Sequence, residues 1–230
     1  MPGFEVSEQH IGCLRRRLLS WASGSSRRFC WREAGASPYL VLTAEMLLRR
    51  TRAAVVDAVL PSLIARYPCP EAMASANAEE LSRLLRPLGL NRVRATALIE
   101  VARRICEEHR GRIPDDERAL LNLPHVGRYT ANAVLCFAYG HDVPVVDANV
   151  ARVLSRLYRV PRPVEIHRAD WLWDLAARLV PPGHAREFNW ALLDLAGLVC
   201  LPRSPRCWDC PLSELCSFRR QALTRSAGGE

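Results

Sequence analysis

The sequence predicts an all-α protein, and three observations carry that expectation. Apolar residues recur every three to four positions through most of the 230 residues, the periodic runs are bounded by Pro, Gly and capping residues, and no alternating run is flanked by hairpin-turn dipeptides. Residues of hydrophobic type make up 49% of the chain, enough to bury a core in one large or two small domains and too many for a disordered protein.

Taken in order, residues 8–22 read as an amphipathic helix with Ile11, Leu14, Leu18 and Trp21 on one side, broken by the Ser and Gly residues at 23–26. Residues 40–51 are apolar almost all round, the pattern of a largely buried helix. A second helix over 53–67 is stopped by Pro68 and Pro70, and Asn77 with Glu80 forms a capping box for the next. After a turn at 87–91, residues 93–110 form a long amphipathic helix through Ala97, Ile99, Val101 and Ile105 that ends at Gly111. Two short helices, 115–123 and 128–139, flank the tight turn Pro124, His125, Val126, Gly127. Asp147 stands immediately before the stripe Val150, Val153, Leu154, Leu157 and reads first as a helix N-cap. Helices over 167–180 and 184–199 follow, with Trp171, Trp173 and Trp190 as core anchors, and the tail after Cys216 is expected to fray.

The charge balance is +8 with a pI near 9.3, which favours a polyanionic partner. All 32 cationic residues are arginine, so no lysine ε-amine exists to form a Schiff base. The N-terminus lacks an apolar segment and no apolar run approaches bilayer length, so a cytoplasmic protein without membrane contact is expected. Five of nine cysteines (Cys13, Cys30, Cys69, Cys106, Cys136) are scattered through helical patterns as small buried hydrophobes would be. The other four are crowded into residues 200–216.

Four places carry chemistry. The turn from Pro124 to Gly127 aims the N–H groups of a helix N-terminus outward, a geometry that grips phosphate. Glu45 lies within the apolar helix and admits two readings: a carboxyl group among Val41, Leu42 and Leu48 that can supply a proton, or a surface partner of Arg49 at i+4, which the pattern alone favours. At Asp147, cap hydrogen bonds would also keep a carboxylate ionised, as an electrostatic stabiliser or water-activating base requires. Cys200, Cys207, Cys210 and Cys216 lie on a proline-bearing loop and imply a metal centre rather than disulfides. Structural zinc would satisfy four thiolates, but gaps of six, two and five residues suit a cubane-type cluster better.

The hairpin Leu123, Pro124, His125, Val126, Gly127, followed by Val146, Asp147, Ala148, Asn149 and by the four cysteines, resembles the helix-hairpin-helix DNA glycosylases of the endonuclease III superfamily. That family's signature is Leu-Pro-Gly-Val-Gly and then Val-Asp-x-Asn, and its cysteine spacing holds a [4Fe–4S] cluster. The resemblance implies a six-helix barrel domain at 33–142, with the helix-hairpin-helix at about 116–139, and a second helical domain from both termini. The second domain would combine 1–32 with 143–230 and carry the cluster loop at 200–216, with Cys200, Cys207, Cys210 and Cys216 as ligands. Thr43 to Thr51 looks most like the thymine-DNA mismatch glycosylases, whereas adenine glycosylases usually have Gln-Gln where Arg49 and Arg50 stand. The sequence ends 14 residues after Cys216, so the long C-terminal domain of adenine glycosylases is expected to be missing.

What the resemblance implies for chemistry is hydrolysis of the N-glycosidic bond of thymine or uracil opposite guanine in double-stranded DNA, after base flipping, by a nucleoid-associated monomer. Asp147 would stabilise the oxocarbenium-like sugar, Glu45 would assist the departing base, and Tyr129 would bind the flipped nucleotide. Lyase-active relatives carry lysine where Tyr129 stands, so a monofunctional enzyme that leaves an abasic site is expected. Pro124, His125, Val126, Gly127, Arg128 and Thr130 would hold the DNA backbone with Arg203 and Arg206, while Leu48, Arg49 and Arg50 border the vacated stack and Asn149 orients the Asp147 region. His125 departs from the family, which has glycine there. The rival readings are adenine release from A·G or A·8-oxoguanine pairs and a non-catalytic lesion-binding protein.

Overall fold

The computed structural model describes residues 6–33 and 35–221; the far end of the tail expected to fray lies outside the described residues. Among the described residues every regular element is helical, as the periodicity requires. The chain divides into two compact units, Arg28–His141 and a second one joining the residues up to Arg27 with those from Asp142 onward.

In the first unit, α2 (Pro38–Leu48) starts at Ser37, whose hydroxyl accepts from the Leu40 N–H, with proline in its first turn. It is followed by α3 (Ala53–Arg66), the short α4 (Pro70–Ala74) and α5 (Ala78–Leu84), the last capped by the Asn77 side chain as the capping-box pattern anticipates. The long helix α6 (Asn91–His109) packs on α4 and α5 and closes on Arg110 and Gly111, both at positive φ. The hairpin helices are α7 (Glu117–Asn122) and α8 (Arg128–Phe137), and α2 packs against α8. Leu42, Leu47, Leu60, Leu63, Leu81 and Leu85 are fully enclosed in this core.

In the second unit, α1 (Glu8–Ser25) begins at the Ser7 cap and packs on α11 (Ala185–Leu198), which also carries α9 (Ala148–Tyr158). The helix α10 (Asp170–Leu179) contributes Trp173, buried with its indole N–H donated to the Ile166 carbonyl. The buried carboxylate of Asp194 on α11 is met by the backbone N–H and the guanidinium of Arg27, so the charge is taken up by hydrogen bonds as burial demands. No described helix is long and apolar enough to cross a membrane.

Candidate functional site

Within Arg28–His141 the structure decides between the two readings of Glu45. It is 2% exposed, one of seven consecutive buried residues from Val41 to Leu47, so the surface pair with Arg49 that the i+4 spacing favoured is replaced by a carboxyl group inside the core. The reason is that α2 is packed on more than one side, which an i, i+4 rule for isolated helices does not consider. The helix also ends at Leu48, three residues before the apolar pattern does, and Arg49 lies beyond it with its Nη1 donating to the His125 carbonyl (3.3 Å).

The early end has a physical cause that the sequence reading missed. Arg94, on α6 and 8% exposed, donates from Nε to the Gly89 carbonyl (2.9 Å) and from Nη1 to the Leu47 carbonyl (3.0 Å). Its Nη2 donates to the Arg49 carbonyl (2.8 Å) and the Thr51 hydroxyl (2.6 Å). One guanidinium thus takes up the carbonyls left over at the end of α2 and ties the 49–51 turn to the 88–90 turn. Arg50 and Leu90 both adopt positive φ in these turns, and Leu90 is 61% exposed. The turns border a cleft of about 300 Å³ lined by Met46, Leu47, Arg49, Arg50, Leu90 and His125. Leu48 is half-buried, and Arg49 and Arg50 are exposed at the rim.

The hairpin is formed as the sequence predicts. Asp116 caps α7 through the Ala119 N–H (2.8 Å), Val126 N–H closes on the Leu123 carbonyl (3.3 Å), and Gly127 begins α8 without a side-chain cap. A Cβ added at Gly127 would meet nothing within 4 Å, so the approach to this helix N-terminus is open. His125 takes the glycine role at φ 61 and is held by a hydrogen bond between its Nε2 and Glu100 Oε2 on α6 (2.6 Å). Pro124, Arg128 and Tyr129 are half-buried beside it, whereas Val126 and Thr130 point into the core.

In the second unit Asp147 is the N-cap of α9. Its Oδ1 accepts from the backbone N–H groups of Asn149 (2.8 Å) and Val150 (2.7 Å), and its Oδ2 accepts from the Asn149 side-chain amide (2.7 Å). The N-cap reading of Asp147 is thus borne out by the geometry, and both carboxylate oxygens are engaged by donors. Asn149 is oriented in turn, because its Oδ1 accepts from Arg152 Nη1 (2.9 Å). Arg152, 7% exposed, spends its remaining donors on the carbonyls of Cys200 (3.0 Å) and Ala196 (2.9 Å). Behind Asp147, the extended segment Val143–Val146 is fastened by Asn189 on α11, 1% exposed: its Oδ1 accepts from Val145 N–H, and its Nδ2 donates to the Val143 and Ala185 carbonyls, each at 2.9–3.0 Å. The only sequence signal for Arg152 and Asn189 is a polar residue inside an apolar helix stripe.

Cys200, Cys207, Cys210 and Cys216 line one pocket with Val199 and Phe218. Burial pushes the Cys207 thiol up and the Cys210 thiol up to about 11, and crowding of the other thiols adds to both. Arg156, Arg206 and Arg219 also line this pocket, and binding of a metal centre by the four sulfurs would release their protons. Among the described residues no three His, Cys, Asp or Glu side chains are grouped as a single metal ion would need. Four thiols lining one pocket, at gaps of six, two and five residues along the chain, are a donor set that a four-thiolate iron–sulfur cluster fits. Arg203 and Arg206 are exposed on the same loop, as is Trp208 at 77%, which the sequence reading passed over.

Comparison with known proteins agrees with this geometry. Residues 43–175 match the model of the HhH-GPD superfamily base excision DNA repair protein, and residues 200–216 match the iron-sulfur binding domain of endonuclease III. The chain is 41% identical to the thymine-DNA glycosylase of Aeropyrum pernix over 220 residues, covering 93% of this chain and 97% of the relative. It is also 41% identical to the adenine DNA glycosylase of Mycobacterium tuberculosis over 220 residues, 92% of this chain and 69% of the relative. The solved structure of a thermostable thymine-DNA glycosylase superposes with a TM-score of 0.88 at 34% identity, over 94% of this chain and all of that one. With its hairpin, its capped Asp147 and its four-cysteine loop, the chain belongs to the HhH-GPD superfamily, as a DNA glycosylase of base excision repair with an endonuclease III-type [4Fe–4S] loop.

Proposed function

We propose that this glycosylase is monofunctional, acts as a monomer and releases thymine or uracil mispaired with guanine in duplex DNA. The mispaired nucleotide is flipped out, at a lower cost than a paired one. Bond cleavage leaves positive charge on the sugar, and Asp147, fixed by three hydrogen-bond donors, stabilises that charge and orients water. Glu45, 2% exposed, contacts and assists the departing base as an acid or by positioning water, and Tyr129 contacts the flipped nucleotide. The hairpin, with Arg128, Arg203 and Arg206, binds phosphates and fixes the register without reading sequence. When bound, the [4Fe–4S] cluster supplies a covalent cross-brace for the loop at 200–216, with Cys200, Cys207, Cys210 and Cys216 as ligands.

The observation that carries the choice of base is the pair Arg49 and Arg50 at the rim of the cleft. Adenine glycosylases usually carry Gln-Gln at these two positions, whereas guanidinium forks here suit the O6 and N7 acceptors of an opposing guanine, which both readings share. The monofunctional assignment rests on Tyr129 and on a chain without lysine: a phenol cannot form the imine that strand cleavage needs. Adenine release is the second reading, favoured by the equal identity to the mycobacterial adenine glycosylase.

Single-turnover base release from duplexes differing only in the T·G, U·G, A·G, A·8-oxoguanine or paired site tests both. Fast T·G and U·G processing, with strand breaks only after alkali, is expected. Selective adenine release would transfer the assignment to the second reading, and breaks without alkali would overturn the monofunctional one.

A further inference from the structure

Arg156, two turns after Asn149 on α9, points its guanidinium at the cysteine pocket. Its Nη1 donates to Cys200 Sγ (3.3 Å) and to the Leu201 carbonyl (2.7 Å), and its Nη2 donates to the Pro202 carbonyl (2.7 Å). The same group lies over the Phe218 ring, 4.9 Å from its centroid, and the Arg156 carbonyl accepts from Cys216 Sγ (3.6 Å). One residue therefore meets the first and last cysteines of the motif and the backbone leaving the first. A phosphate-binding arginine would stay exposed, whereas this one is half-buried and lines the pocket itself.

We propose that Arg156 is a positioning residue of the iron–sulfur centre: its charge-assisted N–H···S bond holds the Cys200 sulfur in ligating position and stabilises the more negative state of the bound cluster. Two consequences follow from the chemistry. The charge-assisted N–H···S bond polarises the Cys200 sulfur toward the guanidinium and fixes its position, which slows loss of the Cys200 ligand. Hydrogen bonds and positive charge at a ligand sulfur also raise the reduction potential of a cluster, because added electron density is better tolerated. Neither consequence depends on which base the enzyme removes, and neither readout needs DNA.

The test uses the full chain loaded with its cluster, comparing Arg156→Gln, Arg156→Lys and Arg156→Leu with Arg168→Leu. Arg168 is 72% exposed and pairs with Glu165, so its removal changes net charge equally, away from the pocket. Cluster loss is followed as the decay of visible absorbance under an iron chelator, and the midpoint potential is read by voltammetry, with far-UV circular dichroism as the check on folding. Arg156→Gln is expected to lose its cluster at least ~10-fold faster, the effect of one charge-assisted bond, and to shift its potential negative. Arg156→Lys, which keeps the charge, should fall between Gln and the parent. Should Arg156→Leu fail to accumulate with a cluster, the Gln and Lys variants still decide. Parent-like loss rates and potentials in both, or an equal shift in Arg168→Leu, would overturn the proposal.

Discussion

Replacing Asp147 by asparagine exchanges one carboxylate oxygen for an amide NH2 in a site whose donors are already committed. The new Oδ1 can still accept from the backbone N–H groups of Asn149 and Val150, so the helix cap survives, asparagine and aspartate being near-equal caps. The NH2 then faces the Asn149 Nδ2 donor that met Oδ2 at 2.7 Å. Asn149 cannot turn its amide over to relieve the clash, because its Oδ1 accepts from Arg152 Nη1. One lost charge-assisted bond costs about 1.5–3 kcal/mol, and the missing negative charge at the helix N-terminus adds about 0.3–1 kcal/mol. Solvent reaches this half-buried site, so the expected stability loss lies at the lower end of the summed range, about 2 kcal/mol, read as a denaturant midpoint shift at unchanged slope. Catalysis should fall much further: losing the anion beside a developing cation is worth roughly 10²–10³ in rate. Single-turnover base release and DNA affinity, measured on the same preparation, separate the two effects. Release within about tenfold of the parent would refute the electrostatic role. Loss of folding with no separate effect on release would leave Asp147 as a cap alone.

Arg94→Met should destabilise Arg28–His141 by about 3–5 kcal/mol in chemical denaturation, since it strands the carbonyls of Leu47, Gly89 and Arg49. Arg94→Lys should recover only part, because one ammonium cannot reach both turns. Asn189→Leu keeps volume but leaves Val145 N–H and the Val143 carbonyl without their partner, for an expected cost of about 2–4 kcal/mol. Faster amide exchange at Val145 is its direct signature, and protection equal to the parent would contradict it. At His125, held at φ 61, alanine should be less stable than glycine by about 1 kcal/mol, because only the loss of Cβ removes the left-handed strain. A denaturation series that ranks alanine above glycine would contradict that account.

The helices, the hairpin and the cysteine loop were legible because each is written locally. Periodic apolar residues, Asn77 and Asp147 at N-caps, and a four-cysteine spacing all act within a few turns of chain. What the sequence hid is long-range. The five-residue helix α4 has too few residues to show a period. Glu45 reads as a surface residue by spacing and is buried by packing, and α2 stops three residues short because an arginine 45 positions from Arg49 takes its carbonyl. Arg152 and Asn189 likewise act on backbone 44–48 residues away. No local pattern distinguishes such residues from solvated polar ones on the same helices.

The arginine-only basicity now divides into two populations with different physics. Arg94, Arg152 and Arg156 direct their planar forks at two or more backbone carbonyls each, and Arg27 takes up the carboxylate of Asp194. This work depends on several donors at fixed angles and on a charge that survives burial, which an ammonium does not match. Arg50, Arg203 and Arg206 are exposed toward phosphate or base, and Arg49 is exposed with one Nη on the His125 carbonyl. The net charge of +8 therefore overstates the electrostatic contribution to DNA binding, because part of the positive charge is spent inside the fold. The salt dependence of DNA affinity should report only the exposed set: replacing Arg203 or Arg206 should lower the slope by about one counterion each. Replacing Arg152 with a neutral residue of similar length, in a variant that still folds, should leave the slope unchanged and lower base release instead, through Asn149 and Asp147.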